Sequence, residues 1–321
     1  MGVQGINARG GILGREIELI ELDNRSTPIG SKVAADEAVS RDVTGIIGAD
    51  WSSHSIPMAR VAQAHGIPMI SNVSTNTKVT RTGDYIFRAC FTDPFQGRMM
   101  ARFSREDLKA ATVVIFTNIT SDFSMELSAE FRRSFHWMGG KVLTQVEYRH
   151  KQENFREIAA AVGVHEPDIV FLSGQDESAL ILKEVMKRGS SAIPIGGDSF
   201  GTQSFFLRGG KDLMRAYYST HWARDLNDPY SKAFVKTYEG LARLIPQTAL
   251  AYDAVRLLAD AIHRAKTTDR KMIRECLAAT RNFRGVTGRI SFDDNGDPIK
   301  SGVIMEIKNG HQHYLKSVHP R

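Results

Sequence analysis

Short apolar runs alternate with amphipathic segments along most of this chain, and that alternation constrains its fold more than any other feature. Residues 113–116 and 169–172 are continuously apolar, as is typical of parallel strands that are covered on both faces. Between such runs apolar side chains recur at helical spacing, and one stripe of this kind consists of Ala179, Leu182, Val185 and Met186. This alternation of strands and helices predicts an α/β fold built on doubly wound parallel sheets.

The same patterns predict the individual elements. Strands are predicted at residues 16–23, 45–48, 68–71, 85–90, 112–117, 141–148, 169–173 and 193–196. Helices are predicted at residues 29–41, 53–65, 94–105, 123–138, 155–162, 177–188, 229–243, 248–265 and 270–280. The alternation breaks after about Trp222, and residues 288–310 are hairpin-like, with a turn where Asn295 and Gly296 tolerate positive φ.

The length of the chain bears on its domain organisation. At 321 residues it is too long for one small core, and two domains are expected. No Pro-rich or Ser-rich linker separates the two halves of the α/β pattern. The domains are therefore expected to be joined by several short crossings of the backbone, and not by one tether.

The sequence carries no signature of an enzyme. It contains no GxSxG, HExxH or GxxxxGK[ST] motif, and its ten histidines are dispersed without metal-ligand spacing. The stretch GILGRE precedes a predicted strand, whereas a dinucleotide-binding motif follows a strand and opens a helix. We therefore expect a protein that is not an enzyme, with no catalytic residues, no cofactor and no metal.

Charge and hydropathy argue against two further kinds of partner. The net charge of +6 comes from 42 Lys and Arg residues against 36 Asp and Glu residues, scattered over amphipathic helices; this favours solvated helix faces over a nucleic-acid footprint. No apolar run approaches the roughly 18 residues of a membrane-spanning helix, so no direct membrane insertion is expected. Cys90 and Cys276 are interpreted as two buried free thiols, with one disulfide as the alternative.

Polar loops follow two successive predicted strands and supply the first candidate binding residues. Ser52 and Ser53 lie where a helix begins, and a hydroxyl beside the N–H groups of a helix N-terminus suits a carboxylate or phosphate. The alternative is that one serine only caps the helix. Ser74 and Thr75 follow the next strand. They are interpreted either as a second such binding site or as part of a polar turn. Ligands of open α/β sheets bind at the carboxyl ends of strands, which favours a binding role for the pair of loops.

Two further candidates lie later in the chain. Asp198 follows the strand predicted at 193–196 and is preceded by glycines; it suits an ammonium group, or alternatively caps a helix. Phe123 is either a core aromatic residue or a wall on which a ligand stacks.

Six stretches in order carry a family resemblance: INARGGILGREIELIELDNRSTP, IIGADWSSHSIPMA, GIPMISNVSTNTKVT, YIFRACFTD, TALAYDAVRLLADAI and FRGVTGRISFDDNGD. Together they resemble the type I periplasmic solute-binding proteins of ABC importers, in the branched-chain amino-acid class. The resemblance implies two Rossmann-like α/β lobes joined by three crossings, with the ligand in the cleft between them. One lobe would comprise residues 1–91 and 221–301, and the other residues 92–220 and 302–321.

The resemblance also implies roles for individual residues. Ser52 matches the family serine that holds the α-carboxylate of the ligand, helped by Thr75, and Val73 matches a position whose backbone contacts the ligand. Asp198 matches the acidic residue that receives the α-ammonium group. Phe123 stands where many members have the Tyr of a Tyr-Gly pair. Gln175, or Asp176 one residue later, falls near another aromatic ligand wall, and a polar group there argues against a purely leucine-shaped pocket.

The function that the resemblance implies is reversible capture of an amino acid, branched-chain or related, in the periplasm. The implied partner is the membrane permease of an ABC transporter. The alternative is a sensory or regulatory module of the same fold that recognises an amide or an aromatic acid. In the family the first of the six stretches ends the first helix, which follows a first strand and a polar loop that also contacts the ligand. The resemblance thus implies that the strand, the loop, most of the helix and the signal peptide are missing here, through a downstream start assignment or a shortened chain. Otherwise a rearranged segment or a partner chain fills the gap, or the lobe binds poorly.

Overall fold

The computed structural model describes residues 1–149 and 154–320, which divide into two compact units. Unit 1 comprises Met1–Thr92 and His221–Ser301 together with Pro320, and unit 2 comprises Asp93–Thr220 and Gly302–His319. The backbone crosses from one unit to the other at each of these boundaries. Residues 150–153 and 321, which the resemblance assigns to the second lobe, lie outside the described residues.

Helices and strands alternate along the described residues. The helices are α1 (Gly2–Asn7), α2 (Pro28–Ser40), α3 (Ser52–Ala64), α4 (Asp93–Glu106), α5 (Asp122–Trp137), α6 (Arg156–His165), α7 (Ser178–Lys187), α8 (Gln203–Arg208), α9 (Pro229–Tyr238), α10 (Pro246–Ala265) and α11 (Arg270–Ala278). The strands are β1 (Ile46–Ile47), β2 (Met69–Ser71), β3 (Ile86–Arg88), β4 (Thr112–Asn118), β5 (Lys141–Tyr148), β6 (Ile169–Leu172), β7 (Ile193–Gly196), β8 (Arg215–Thr220), β9 (Phe283–Gly285), β10 (Gly288–Phe292), β11 (Pro298–Ile299), β12 (Gly302–Lys308) and β13 (His311–Val318).

In unit 1, strands β1, β2 and β3 form a parallel sheet in that order. Successive side chains of a strand point to opposite faces. Accordingly, Met69 and Ile86 pack into a core with helices α2 and α3, whereas Ile70 and Phe87 pack into a second core with helices α10 and α11. Both faces of the sheet are covered by helices, which explains why these strands read as uninterrupted apolar runs.

The prediction of a strand at residues 16–23 is wrong. The alternation of Glu with Ile and Leu suits an extended segment, but a strand requires a hydrogen-bonded neighbour, and no described residue pairs with this segment as a strand. Asn7 holds it instead: its side chain donates to the Ile17 carbonyl and accepts from the Ile17 N–H, both at 2.9 Å. Leu22 packs against the core shared with α2 and α3.

The predicted hairpin is confirmed only in its first half. Strand β10 pairs antiparallel with β11 across the predicted turn, in which Gly296 has φ of 75°. The following strand, β12, instead belongs to the sheet of unit 2, where it pairs with β8 and β13. The helix predicted at 229–243 is also shorter than expected, because α9 ends at Tyr238 just before Gly240, which has positive φ.

Unit 2 contains a seven-stranded sheet in the order β13-β12-β8-β7-β6-β4-β5. Strands β8, β7, β6, β4 and β5 are parallel, as the apolar runs predict, and β12 and β13 add antiparallel strands at one side. Strands β5 and β7 coincide with the predicted 141–148 and 193–196. The parallel order brings the carboxyl ends of β4, β6 and β7 to one edge of the sheet.

Two further observations concern the whole described chain. No described helix is both long and apolar enough to span a membrane. Neither Cys90 nor Cys276 forms a disulfide with another described residue, so the prediction of two thiols is confirmed; Cys90 is buried, as predicted, whereas Cys276 is only half-buried.

Candidate functional site

The carboxyl end of β1 in unit 1 leads directly into helix α3. Trp51 is extended, and the helix begins at Ser52, with Ser53 as its second residue. Ser52 is buried, and its Oγ accepts a hydrogen bond from the Asn76 N–H at 3.2 Å. A helix of this length has unsatisfied N–H groups and a partial positive charge at its N-terminus, so this position suits an anionic group.

The loop after β2 lies against the same segment. Ser74 is buried, and its Oγ lies 2.9 Å from the Ala49 carbonyl, 3.0 Å from the Asp50 carbonyl and 2.7 Å from Ser55 Oγ. The Ser74 hydroxyl therefore fastens the two loops to each other. Val73 is half-buried and packs against the core of α10 and α11, and Thr75 is almost fully buried.

Trp51 and His54 form an aromatic pair at this edge of unit 1. Their rings are stacked with centroids 5.2 Å apart, and the indole is 44% exposed while the imidazole is buried. Burial lowers the pKa of His54, although the nearby Asp50 carboxylate opposes the shift. His54 is therefore neutral at pH 7, and the exposed indole stands next to Ser52. Sequence reasoning did not select either aromatic residue.

In unit 2, the end of β7 presents Asp198. Its backbone N–H donates to Gln96 Oε1 at 2.8 Å, and Ser219 Oγ donates to the same oxygen at 2.7 Å. Gln96 is fully buried on helix α4, whereas Asp198 is half-buried at the start of a short 3₁₀ turn. A Cβ on Gly197 would lie only 2.7 Å from Gln96 Oε1, so a glycine before Asp198 permits this close approach.

Phe123 lies in the first turn of helix α5, after the end of β4. It is buried, and its ring tip is 3.3 Å from where a Cβ of Gly197 would stand, which places it beside the end of β7. The next residue, Ser124, belongs to a buried hydroxyl network: its Oγ accepts from the Asn118 N–H at 2.8 Å and lies 2.6 Å from Ser173 Oγ. Phe123 therefore stands on a rigid edge of the sheet.

Gln175 follows β6 and is half-buried, and its carbonyl accepts from the Ser178 N–H at the start of α7. The neighbouring Asp176 forms an ion pair with Arg208 at 2.9 Å. Glu177 is buried nearby and accepts from Asn118 Nδ2 at 3.0 Å and from Tyr148 OH at 3.1 Å. Burial, followed by the Glu177 charge, raises the pKa of Tyr148, which keeps its hydroxyl protonated.

The structure thus brings the predicted residues together within each unit. Ser52 and Ser53 lie with the loop that carries Val73, Ser74 and Thr75 at the edge of the unit 1 sheet. In unit 2, Phe123, Gln175 and Asp198 follow three neighbouring strands. Gln96 and Glu177 were missed, because a glutamine within a helix and a glutamate at a helix start carry no pattern that distinguishes them. Within residues 1–149 and 154–320, no group of His, Cys, Asp and Glu side chains is arranged to hold a metal ion.

Comparisons with known proteins identify the family and the fold. A family model described as a periplasmic binding protein matches residues 1–312. A leucine-binding protein from Thermotoga maritima is 34% identical, with a TM-score of 0.93 and coverage of 99% of this chain and 93% of that chain. A branched-chain amino acid transporter substrate-binding protein from Streptococcus pneumoniae, solved in complex with isoleucine, is 27% identical, with a TM-score of 0.91 and coverage of 99% and 92%.

One relative known from its sequence gives the same result. The Leu/Ile/Val-binding protein homolog 1 of Brucella suis is 25% identical over 307 residues, which cover 94% of this chain and 82% of that protein. The α/β fold class and the family that the six sequence stretches indicate are thereby confirmed.

Proposed function

This chain belongs to the periplasmic binding protein family, and we propose that it is the substrate-binding component of an ABC importer for an amino acid. The proposal is supported by the two solved relatives, a leucine-binding protein and a branched-chain amino acid binding protein that holds isoleucine. A membrane permease is the expected partner and the periplasm the expected location. The protein binds and releases its ligand without chemical change.

The observation that carries the proposal is that each unit presents one pole suited to a zwitterion. In unit 1, Ser52 opens helix α3 beside the buried Thr75, and this combination of hydroxyl and helix N-terminus suits a carboxylate. In unit 2, the Asp198 carboxylate stands at the end of β7 and suits an ammonium group. An α-amino acid requires both poles, because either charge is costly to bury without a partner.

The side chain of the ligand would meet Phe123 and Gln175, at the ends of β4 and β6. Phe123 offers an apolar ring, and Gln175 offers an amide that forms hydrogen bonds. A mixed wall of this kind suits a branched-chain amino acid or a relative with a small polar group, such as threonine.

Isothermal titration calorimetry with leucine, isoleucine, valine, threonine and alanine tests the proposal. We expect the wild-type protein to bind at least one of them and Asp198→Asn to weaken that binding by roughly 100-fold, as for loss of one partner of a buried charge pair. Asp212→Asn, at an exposed aspartate of unit 2, is the matched control and keeps wild-type affinity.

Two outcomes contradict the proposal. Equal affinity of the wild type and Asp198→Asn removes Asp198 from the ammonium pole. Binding of benzoate with no binding of any amino acid contradicts the zwitterion model and supports an aromatic acid as the ligand.

A further inference from the structure

Arg88 is a fully buried arginine at the end of strand β3 in unit 1, and no sequence motif marked it as functional. Its Nη1 donates to the Ser74 carbonyl at 2.7 Å, and its Nη2 donates to the Asn76 carbonyl and to Thr80 Oγ1, both at 2.8 Å. Its Nε lies 2.6 Å from Asp297 Oδ1. Because a buried guanidinium is costly unless it is paired and hydrogen-bonded, this set of partners determines the conformation of the loop that it contacts.

The contacts of Arg88 orient two peptide groups of that loop. In a planar trans peptide the carbonyl and the following N–H point in opposite directions. Because the Ser74 carbonyl faces Arg88, the Thr75 N–H points away from Arg88. The Asn76 N–H donates to Ser52 Oγ, which holds the loop against the start of helix α3. Among the described residues, no acceptor is in hydrogen-bonding position for the Thr75 N–H, although Thr75 is buried.

We infer that Arg88 is a positioning residue for the carboxylate pole of the ligand. Because Arg88 holds the Ser74 carbonyl, the Thr75 N–H is left to donate to a carboxylate that binds beside Ser52. This inference rests on the proposed function, since it assumes that Ser52 and Thr75 hold the carboxylate of an amino acid. Asp297 balances the charge of Arg88, so the effect is one of orientation and not of net positive charge.

The planar fork of arginine is what this position requires. Three acceptors of the loop, the carbonyls of Ser74 and Asn76 and the hydroxyl of Thr80, lie around the terminal nitrogens. An ammonium group is a compact point charge without the fixed fork, and Arg88→Lys therefore retains the charge but loses the alignment of the loop. Asp297→Asn retains an oxygen that accepts from Thr80 Oγ1, so it removes the ion pair with Arg88 and leaves the loop contacts in place.

The test compares leucine with leucinamide, which lacks the carboxylate, in calorimetric titrations of folded protein. In the wild type we expect leucine to bind much more tightly. We expect Arg88→Lys to lower the ratio of the two dissociation constants by at least about tenfold, because the loss falls on the carboxylate pole. Asp297→Asn is expected to lower the melting temperature without changing the ratio. A purely structural arginine would lower the melting temperature in both variants and change the ratio in neither.

A second measurement uses the wild-type protein, so it decides the question even if Arg88→Lys does not fold. Leucine is expected to slow amide hydrogen exchange at Thr75 and to leave Asn76, which already donates to Ser52, nearly unchanged. Unchanged exchange at Thr75 on leucine binding overturns the inference, as does an unchanged ratio in folded Arg88→Lys; the proposed function survives both results. Failure of the wild type to bind any amino acid removes the proposed function and the inference with it.

Discussion

Gln96 Oε1 accepts the backbone N–H of Asp198 at 2.8 Å and so ties helix α4 to the end of strand β7, although 102 residues separate the two positions in sequence. The same oxygen accepts from Ser219 Oγ at 2.7 Å. One buried amide thus determines where the backbone of Asp198 lies, which in turn aims its carboxylate. The ammonium pole of the proposed site therefore depends on a residue that needs no contact with the ligand.

Gln96→Leu should weaken both stability and binding. Leucine has a similar volume but leaves the Asp198 N–H and the Ser219 hydroxyl without their acceptor, and each buried unsatisfied donor costs about 1–3 kcal/mol. We expect the free energy of unfolding in urea to fall by about 2–4 kcal/mol. We also expect amino-acid affinity to fall by at least about tenfold. Gln203→Leu, at an exposed position of unit 2, is the control; a Gln96→Leu protein with wild-type affinity would show that Asp198 does not depend on this bond.

Lys300 should make stability depend on pH in the basic range. It is buried in unit 1, where its Nζ donates to the Ala89 carbonyl at 2.9 Å and to Thr287 Oγ1 at 2.5 Å. Burial lowers its pKa from 10.5 to about 8, although the nearby Asp253 and Cys90 oppose the shift. Between these values the unfolded chain binds more protons than the folded one, so the free energy of unfolding rises with pH. Below about pH 8 the full destabilisation caused by burying the charged Lys300 is present.

The size of this rise is about 3 kcal/mol, from the difference between 10.5 and about 8 at 1.36 kcal/mol per unit. Urea unfolding between about pH 7.5 and 10.5 measures it. Lys300→Met should abolish the rise, whereas Lys271→Met, at an exposed lysine of α11, should retain it. An unchanged slope in Lys300→Met would show that Lys300 titrates at its ordinary pKa.

Gly296→Ala should destabilise unit 1 more than a positive φ alone explains. Gly296 has φ of 75°, and an added Cβ would lie 2.5 Å from the Ile86 carbonyl oxygen, on a strand that cannot move freely. Gly240→Ala is the matched control, since Gly240 has φ of 78° with nothing within 4 Å of the added atom. We expect about 1 kcal/mol of destabilisation for Gly240→Ala and about 3 kcal/mol for Gly296→Ala in urea unfolding. Equal losses would mean that the backbone relieves the clash.

The local pattern of apolar and polar residues in the sequence predicted much of the fold. Strand β7 coincides with the predicted 193–196 because a buried parallel strand bounded by a helix end and by glycines needs no distant information. The positions of Ser52 at the carboxyl edge of the unit 1 sheet and of Asp198 at the carboxyl edge of the unit 2 sheet also followed from the order of strands and helices, because the parallel strands of each sheet present their carboxyl ends together. Polar strand β13 was missed, although Asn309 and Gly310, both with positive φ, form the turn before it.

What the sequence by itself determined is therefore the alternation of strands and helices, and with it the positions of Ser52, Thr75, Phe123 and Asp198 at strand ends. These features depend on periodicity and on residues adjacent in the chain. Only the tertiary structure decided that residues 16–23 have no strand partner among the described residues. It also decided that Arg88 holds the loop after β2, that Gln96 holds the end of β7, and that Lys300 binds Ala89 and Thr287. Their partners lie 14, 102 and 211 residues away, and a buried polar side chain takes its meaning from partners that local pattern does not encode.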